Sequence, residues 1–398
     1  MQTQTKFRLL VVRLGAMGDI LHALPAVTAL RLAHPQWVID WVVEPRWQAL
    51  FAAEDGIGRV TSKPLVDRLL FAPTKDWRHD PLSLKTRSQI KALRKTLRAG
   101  EYDAVLDLQG AIRSAVVGRL AGCRRLIGEA EPRERIARWL FTECVATCGA
   151  HVIEQDVELA SAVAGDCLSA AKPLLPVDPE AEAWADQVLP SGGNQSGSPG
   201  TGGYPLGGPW GDSQPAVLIN PGAGWGAKRW PVERYAAVAN GLIDRGMRVL
   251  VNAGPAELHL ADAIFDVTGG AVTSLPNSLG QLIALTRRVA LVIAGDTGPL
   301  HLACALSRPV VGIYGPTDPS RNGPYGTRFK VLRSPESRRD HTRHAAPEAG
   351  LLTIQPEDVL AAVDELLATE PQPGAPGLAS ETWETSKPTG PAPQEDAS

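Results

Sequence analysis

Polar residues gather at two neighbouring joints of the stretch 289–319, VALVIAGDTGPLHLACALSRPVVGIYGPTDP. At the first joint, Asp296, Thr297 and Gly298 lie between an apolar run and a short helical pattern. The unpaired backbone N–H groups at the start of a helix attract anions, so these residues could bind a phosphate. Capping of the helix by Asp296 or Thr297 explains the same residues equally well when they are taken alone.

The second joint is the polar turn at 315–319, which follows the apolar run PVVGIYG. This run and VALVIAG are rich in β-branched residues and are typical of parallel strands buried on both faces. Consecutive parallel strands usually lie side by side, and open α/β sheets bind ligands at the carboxyl ends of their strands. Two polar strand ends in adjacent positions therefore predict a binding site.

Asp19 occupies a similar position near the start of the chain. A strand predicted at 7–15 and a helix predicted at 20–33 place it at a helix amino terminus. It is either an N-cap or a carboxylate beside a cleft, and on these residues alone the N-cap is the better explanation.

The spacing Gly15-x-x-Gly18 differs from the GxGxxG fingerprint, and no acidic residue ends a second strand as that fingerprint requires. The pattern therefore disfavours a nicotinamide enzyme.

A second alternating half begins with the strand AVLIN at 216–220 and the loop PGAGWGAKRWP at 221–231. The glycines of this loop allow a ligand to approach the backbone, and Lys228 can reach a phosphate. A flexible surface turn is the alternative.

The next strand, at 247–254, is followed by Glu257. A carboxylate at this position suits paired ribose hydroxyls, or is simply the acidic residue of a helix's first turn. Further strands are predicted at 37–43, 104–108 and 329–332, and a helix at 356–367.

The segment 75–138 carries 15 Lys and Arg against 8 Asp and Glu, a surplus of 7 in a chain whose net charge is −3. A local surplus of this kind favours an anionic partner. The run KALRKTLR at 91–98 is better explained as a solvated helix face. Arg78, Arg113 and Arg133 are the stronger candidates, because they fall in or beside predicted loops.

The composition bounds the class of protein. A chain of 398 residues with 44% hydrophobic content can form two domains of about 150 to 200 residues each. The slightly acidic net charge disfavours a nucleic-acid partner. Five cysteines without metal-ligand spacing indicate a reducing compartment. Because no apolar stretch reaches the roughly 18 residues that span a membrane, we expect a soluble protein that is not exported.

The organisation along the chain follows from the alternating pattern. We expect a Rossmann-like domain at 1–178, a linker at 179–215, a second Rossmann-like domain at 216–369, whose last helix could pack back on the N-terminal domain, and a disordered tail at 370–398. The Gly-, Ser- and Pro-rich part of the linker, 190–215, is also predicted to be disordered. The two doubly wound α/β domains would face one central cleft.

Seven pieces of the chain together resemble the bacterial lipopolysaccharide heptosyltransferases, inverting transferases of the GT-B fold that use ADP-heptose. These pieces are RLGAMGDILHALPAV, IDWVVEPR, YDAVLDLQGAIRSA, PGAGWGAKRWP, AGPAE, GDTGPLHLACAL and GPTDP. Most of them are more similar to heptosyltransferase I, which acts on the first Kdo sugar, whereas PGAGWGAKRWP is more similar to heptosyltransferase II. Where the family commonly has Ser-Ser, this chain has Gly15-Ala16.

The resemblance implies a role for each candidate residue. Asp19 matches the general base and Lys228 the lysine on the donor phosphates. The other donor-binding positions are Ala223, Gly224, Glu257 (on the ribose), Asp296, Thr297, Gly298 and His301, and the acceptor positions are Arg78, Arg113 and Arg133.

The resemblance also implies partners and a location. No Asp-x-Asp metal motif is present, so a metal-independent enzyme without a cofactor is expected. Its partners would be ADP-heptose and Kdo-lipid A, and it would act as a monomer in the cytoplasm, peripheral to the cytosolic face of the inner membrane. The alternatives are heptosyltransferase II, a relative with another donor sugar or acceptor, and a nucleotide-binding module without transferase activity.

Overall fold

The computed structural model describes residues 6–53, 63–189, 214–274, 276–337 and 346–368. These residues form two six-stranded parallel sheets, which confirms the prediction of two doubly wound α/β domains. The predicted disordered tail at 370–398 and all but the last two residues of the insertion at 190–215 lie outside the described residues.

The N-terminal sheet comprises strands β1 to β6, which are Arg8–Val12, Val38–Val43, Arg68–Phe71, Ala104–Asp107, Leu126–Glu129 and Glu143–Val145. Its strand order is β3-β2-β1-β4-β5-β6. Helices α1 to α5 are Met17–Ala33, Thr74–His79, Leu84–Arg98, Ile112–Leu120 and Val152–Ala164. Successive side chains of a strand point to opposite faces, so Leu9 and Val11 pack in one core with α1 and α5. Leu10 and Val12 pack in the other core with α3 and α4.

The C-terminal sheet comprises strands β7 to β12, which are Ala216–Asn220, Arg248–Val251, Thr273–Ser274, Leu291–Gly295, Val310–Tyr314 and Phe329–Arg333. Its strand order is β12-β11-β10-β7-β8-β9. Helices α6 to α12 are Pro179–Val188, Val232–Asp244, Leu258–Val267, Leu279–Arg288, Gly298–Ala305, Pro319–Asn322 and Pro356–Ala368. Short 3₁₀ helices occur at Pro45–Leu50, Arg135–Leu140, Gly226–Lys228 and Gly350–Thr353.

Both sheets have one topology when the strands are counted within each domain, since the C-terminal order read from its β9 edge repeats the N-terminal order. The winding direction reverses between β1 and β4 in one sheet and between β7 and β10 in the other. Such a switch point leaves a crevice at the carboxyl ends of the strands, where ligands of doubly wound sheets bind. Asp19 follows β1, Lys228 follows β7 and Asp296 follows β10.

Two expectations about the domain boundaries need correction. The segment from residue 179 is not linker from its start, because α6 is a capped helix whose Asp178 carboxylate accepts the backbone N–H of Glu180 at 3.0 Å. It packs on α9 of the C-terminal domain, where Glu182 pairs with Arg287 and Arg288. A favourable N-cap followed by proline at the first helical position is a local signal that predicts this helix.

The last helix does not pack back on the N-terminal domain. The apolar side of α12, formed by Val359, Ala362, Val363 and Leu366, lies in the core of the C-terminal sheet together with α7. Asp364 adds an ion pair with Arg245 just after α7, at 3.0 Å.

Candidate functional site

Lys228 and Asp296 meet at the switch point of the C-terminal sheet. The Lys228 ammonium and the Asp296 carboxylate form an ion pair whose side chains are only 15% and 9% exposed. Burial by itself would raise the pKa of Asp296, but a hydrogen bond from His301 and the charge of Lys228 lower it below its ordinary value. Asp296 therefore stays ionised and holds a cation at the edge of the sheet.

A chain of polar contacts continues from Asp296 into the other domain. His301 Nε2 lies 3.2 Å from Asp296 Oδ1, and His301 Nδ1 lies 3.1 Å from His22 Nε2. His301 is on α10 of the C-terminal domain and His22 is on α1 of the N-terminal domain. Burial, followed by the neighbouring histidines, lowers the pKa of His22 well below its ordinary value, so this ring is neutral at pH 7. A neutral His22 can donate to His301, which then donates to Asp296.

Two glycines allow these helices to approach each other. A Cβ at Gly18 of α1 would lie 2.9 Å from His301 Cδ2, and a Cβ at Gly298 of α10 would lie 2.7 Å from Met17 Sδ. Real Cβ atoms essentially never come so close to a neighbour. Glycine at both positions therefore brings the amino ends of α1 and α10 together across the cleft.

Asp19 lies in the first turn of α1, which begins three residues earlier than predicted. Asp19 is not the N-cap that the sequence favoured, because Ala16 holds that position and Asp19 is the third residue of the helix. Its Oδ2 atom instead reaches back and accepts the backbone N–H of Ala16 at 3.2 Å. The side chain is also 34% exposed and faces two guanidinium groups, Arg13 at 3.5 Å and Arg133 at 3.9 Å. A half-exposed carboxylate beside a cleft, held by two arginines, can accept a proton from a bound hydroxyl group.

A buried charged cluster lies behind Asp19. It comprises Arg13, Asp107 and Asp156, each of which is at most 6% exposed. Burial raises the pKa of Asp107 to about 6 and that of Asp156 to about 7. Within the described part of the chain, Arg13 Nε, Asp107 Oδ2 and Asp156 Oδ2 lack a hydrogen-bond partner. These three atoms are therefore free to form further hydrogen bonds in the buried region next to Asp19.

The remaining donor candidates surround the Lys228–Asp296 pair. The carboxylate of Glu257 lies so close to Gly222 that a Cβ there would overlap it. Ala223 is buried, Gly224 is exposed, and the ring of Trp225 lies 5.5 Å from Lys228 Nζ. Neither of the predicted caps of α10 forms, because Thr297 makes no side-chain cap bond and Asp296 is engaged by Lys228 and His301.

The three acceptor candidates follow the carboxyl ends of strands of the N-terminal sheet, where β4 and β5 are neighbours and β3 is separated from β4 by β2 and β1. Arg78 lies after β3, Arg113 after β4 and Arg133 after β5, and all three are exposed. The structure brings Arg133 into contact with Asp19 at 3.9 Å. Arg78 and Arg113 lie at the same carboxyl edge, because the strands are parallel.

The sequence analysis missed His22 and His151. His22 lies three residues after Asp19, one turn along α1, and this spacing is the local signal that could have found it. His151 precedes α5, and its Nε2 atom lies 3.1 Å from the carbonyl oxygen of Gly323 in the other domain. Burial lowers the pKa of His151 to about 4, so it bridges the domains as a neutral ring.

Two absences hold for the described residues only. None of the described helices is both long enough and apolar enough to cross a membrane. In the same ranges, no group of three or more His, Cys, Asp or Glu residues is arranged to hold a metal ion.

The fold and the site together define a class. Two doubly wound domains whose switch points face each other, with a carboxylate on one side and a cation on the other, are the architecture of a GT-B glycosyltransferase. The model of glycosyltransferase family 9 (heptosyltransferase) matches residues 90–351. The chain belongs to this family and is a glycosyltransferase.

Individual relatives point the same way. Lipopolysaccharide heptosyltransferase 1 of Escherichia coli K12 is 31% identical over 336 residues, which cover 82% of this chain and 94% of that protein. Lipooligosaccharide heptosyltransferase 2 of Haemophilus influenzae is 25% identical over 379 residues, which cover 90% of this chain and 99% of that protein. The solved structure of E. coli heptosyltransferase WaaC with ADP matches with a TM-score of 0.70 and 25% identity, covering 90% of this chain and 100% of that one.

Proposed function

We propose that this protein transfers heptose from ADP-heptose to a Kdo residue of the lipopolysaccharide inner core, with inversion at the anomeric carbon. One observation carries the proposal. Asp19 and the Lys228–Asp296 pair lie at the switch points of two sheets, where α1 and α10 touch across the cleft. The relatives named above support the choice of donor and acceptor, since all three are heptosyltransferases and the solved structure contains ADP.

The reaction is a single displacement in this proposal. The acceptor hydroxyl forms a bond to the anomeric carbon as the bond from that carbon to the ADP oxygen breaks, and Asp19 takes the hydroxyl proton. Lys228 and the uncapped amino end of α10 stabilise the negative charge that grows on the departing diphosphate. Asp296 keeps Lys228 in place, because its lowered pKa keeps it charged.

The binding roles follow the domains. Glu257 and the loop at 222–224 bind the nucleoside part of the donor, and Thr297, Gly298 and His301 lie where the diphosphate and the sugar meet the start of α10. Arg78, Arg113 and Arg133 bind the anionic groups of the acceptor. Both half-sites belong to one chain, so we propose that a monomer is active.

We further propose that no divalent metal and no cofactor is required, since Lys228 and the start of α10 supply positive charge at the phosphates. The enzyme acts in the cytoplasm, peripheral to the cytosolic face of the inner membrane, where its acceptor is presented.

The subtype is tested with two acceptors. Most of the motif pieces favour heptosyltransferase I, whereas relatives of both types match the chain. Purified protein is incubated with ADP-heptose and either Kdo-lipid A or the same acceptor already carrying one heptose. Transfer to Kdo-lipid A alone supports type I, and transfer to the heptosylated acceptor alone assigns type II. Transfer from another nucleotide sugar in preference to ADP-heptose would overturn the donor assignment.

A further inference from the structure

Exposed apolar side chains are concentrated on one face of the N-terminal domain. Of the twelve large apolar residues that are exposed in the described ranges, six lie on the layer formed by α2, α3, α4 and the 3₁₀ helix Arg135–Leu140. They are Leu82, Leu84, Ile112, Val116, Ile136 and Trp139. Trp139 is 83% exposed, although burial of a tryptophan ring is favourable.

The 3₁₀ helix sorts its side chains into three rows. Residues three apart are eclipsed in a 3₁₀ helix, so Ile136 and Trp139 share one side and Arg135 and Arg138 share another. The third row begins with Ala137, which is fully buried against the sheet. This short helix therefore presents an apolar row and a basic row to the outside.

Helix α4 packs against this 3₁₀ helix and carries two more exposed apolar side chains. Ile112 and Val116 are one turn apart on α4 and are 37% and 45% exposed. The Glu134 carboxylate accepts the backbone N–H of Ile112 at 2.8 Å, which joins the start of α4 to the start of the 3₁₀ helix. We call Ile112, Val116, Ile136 and Trp139 the Trp139 face.

The rim of the Trp139 face is basic. Five exposed arginines lie on or beside its two helices. The acids near them include Glu131, Glu134, which is engaged at the start of α4, and Asp19, which lies 3.9 Å from Arg133. The arginines are Arg113, Arg119, Arg133, Arg135 and Arg138. Apolar side chains surrounded by arginine match the boundary between headgroups and acyl chains of an anionic bilayer. A second copy of this chain would bring the same positive charges together, which disfavours a symmetric dimer here.

The Trp139 face lies close in the chain to a residue that contacts Asp19. Arg133 lies two residues before Arg135, and its guanidinium is 3.9 Å from Asp19 Oδ2. The backbone N–H of Glu134 donates to the carbonyl of Gly110 at 2.9 Å, which ties this segment to the carboxyl end of β4. A surface that meets the Trp139 face would thus present its outermost groups close to Asp19.

We propose that the Trp139 face docks on an anionic lipid bilayer, with Ile136 and Trp139 entering the headgroup region and Arg135 and Arg138 contacting lipid phosphates. The inference deepens the proposed function, since it names the surface by which the enzyme reaches an acceptor embedded in a membrane.

Vesicle co-sedimentation of the full chain tests the docking without any transfer reaction. Wild type is expected to bind vesicles of phosphatidylethanolamine and phosphatidylglycerol more tightly than vesicles of phosphatidylcholine alone. The variant I136S/W139S should bind the anionic vesicles roughly tenfold or more weakly. R135Q/R138Q should also bind more weakly and should lose most of the salt dependence of binding.

The matched control is F265S/V267S, which removes two exposed apolar side chains of the C-terminal domain, 42% and 59% exposed. It should bind like wild type. Equal binding by I136S/W139S and wild type, or no preference of wild type for anionic vesicles, would overturn the proposal. Concentration-dependent dimerisation that I136S/W139S abolishes, measured by light scattering without lipid, would assign the face to a second copy instead.

Kinetics separate this proposal from the proposed function. I136S/W139S should keep wild-type kcat/KM with a lipid-free Kdo oligosaccharide and lose activity toward the same sugar on lipid A in vesicles. An equal loss on both acceptors would show that these side chains act in the site rather than at a membrane. If wild type transfers no heptose to either acceptor, the proposed function fails, while the vesicle measurement still decides the docking.

Discussion

His22 Nε2 of the N-terminal domain lies 3.1 Å from His301 Nδ1 of the C-terminal domain. His301 in turn contacts Asp296, which pairs with Lys228, and His22 lies one turn after Asp19 on the same helix. One chain of hydrogen bonds therefore joins the cation that would hold the donor diphosphate to the helix that carries the candidate base. Loss of any link in this chain should affect both half-sites.

Replacement of His22 tests this connection. H22L leaves His301 Nδ1 buried without a donor, which costs about 1–3 kcal/mol and should lower kcat/KM for heptose transfer by roughly ten- to a hundredfold. In H22Q the amide nitrogen replaces Nε2 as the donor, so activity should stay within a few-fold of wild type. Steady-state kinetics decide the matter, with thermal unfolding as a check on the fold. Equal activity of H22L and H22Q would show that the hydrogen bond from His22 to His301 does not contribute to catalysis.

Asp19→Asn should lower kcat by roughly 10² to 10⁴ while ADP affinity stays close to wild type. Asparagine keeps an oxygen that can accept the Ala16 N–H, so the start of α1 is preserved while the proton acceptor is lost. Turnover and ADP titration are measured on the same preparation. Normal turnover would leave Asp19 as a capping residue only.

Lys228→Met should weaken ADP-heptose binding and slow transfer, and it should also destabilise the fold, because Asp296 then remains buried without its cation. The double variant K228M/D296N removes both charges and should regain much of the stability without regaining donor binding. Calorimetric unfolding and donor titration separate the two effects. Wild-type donor affinity in K228M would exclude the lysine from the donor site.

Chelation tests the metal-free proposal directly. Wild type should keep its transferase activity in EDTA, because the positive charge at the diphosphate comes from Lys228 and the start of α10. Activity that disappears in EDTA and returns with Mg²⁺ would refute this mechanism.

Changing Arg78, Arg113 or Arg133 to Gln should raise the KM for the acceptor more than the KM for ADP-heptose. Arg133 should have the largest effect, because it contacts Asp19 at 3.9 Å. Added salt should act in the same direction, since exposed charges are screened beyond about 8 to 10 Å at physiological ionic strength. Arg94→Gln, at an exposed position of α3, is the control and should change neither KM. A selective rise in the donor KM would mean that the two half-sites are assigned the wrong way round.

Asp156→Asn should change how stability depends on pH. Burial raises the pKa of Asp156 from 3.8 to about 7, so between these values the folded protein keeps a proton that the unfolded chain has released. The contribution of the protonated Asp156 to the free energy of unfolding is complete below pH 3.8 and is lost as the pH rises through about 7. Asparagine does not ionise, so the variant does not lose this contribution. The free energy of unfolding of the variant minus that of wild type should therefore rise by up to about 4 kcal/mol from acid to alkaline pH. Urea unfolding at several pH values measures this, and the exposed Asp166→Asn variant should show no such change.

The sequence by itself determined the parts that depend on local pattern. Strands β7, β10 and β11 and helix α12 lie where the apolar runs and helical spacing predicted them, and Asp19, Lys228, Glu257 and Asp296 follow strands as expected. Buried central strands are nearly continuous apolar runs, so they are visible without a structure. The edge strands β3, β6 and β9, which are partly exposed, and the short strand β5 carry weaker patterns and were not predicted.

Only the tertiary structure decided which residues meet. Lys228 and Asp296 are 68 positions apart, and His22 and His301 are 279 positions apart, so no local pattern relates them. The same holds for Gly18 and Gly298, whose missing side chains matter only because α1 and α10 approach each other. Burial, which lowers the pKa of His22 and raises that of Asp156, likewise exists only after the domains fold and pack. The local sequence pattern determines where each strand ends. The folding and packing of the two domains determine which of the side chains at those ends come into contact.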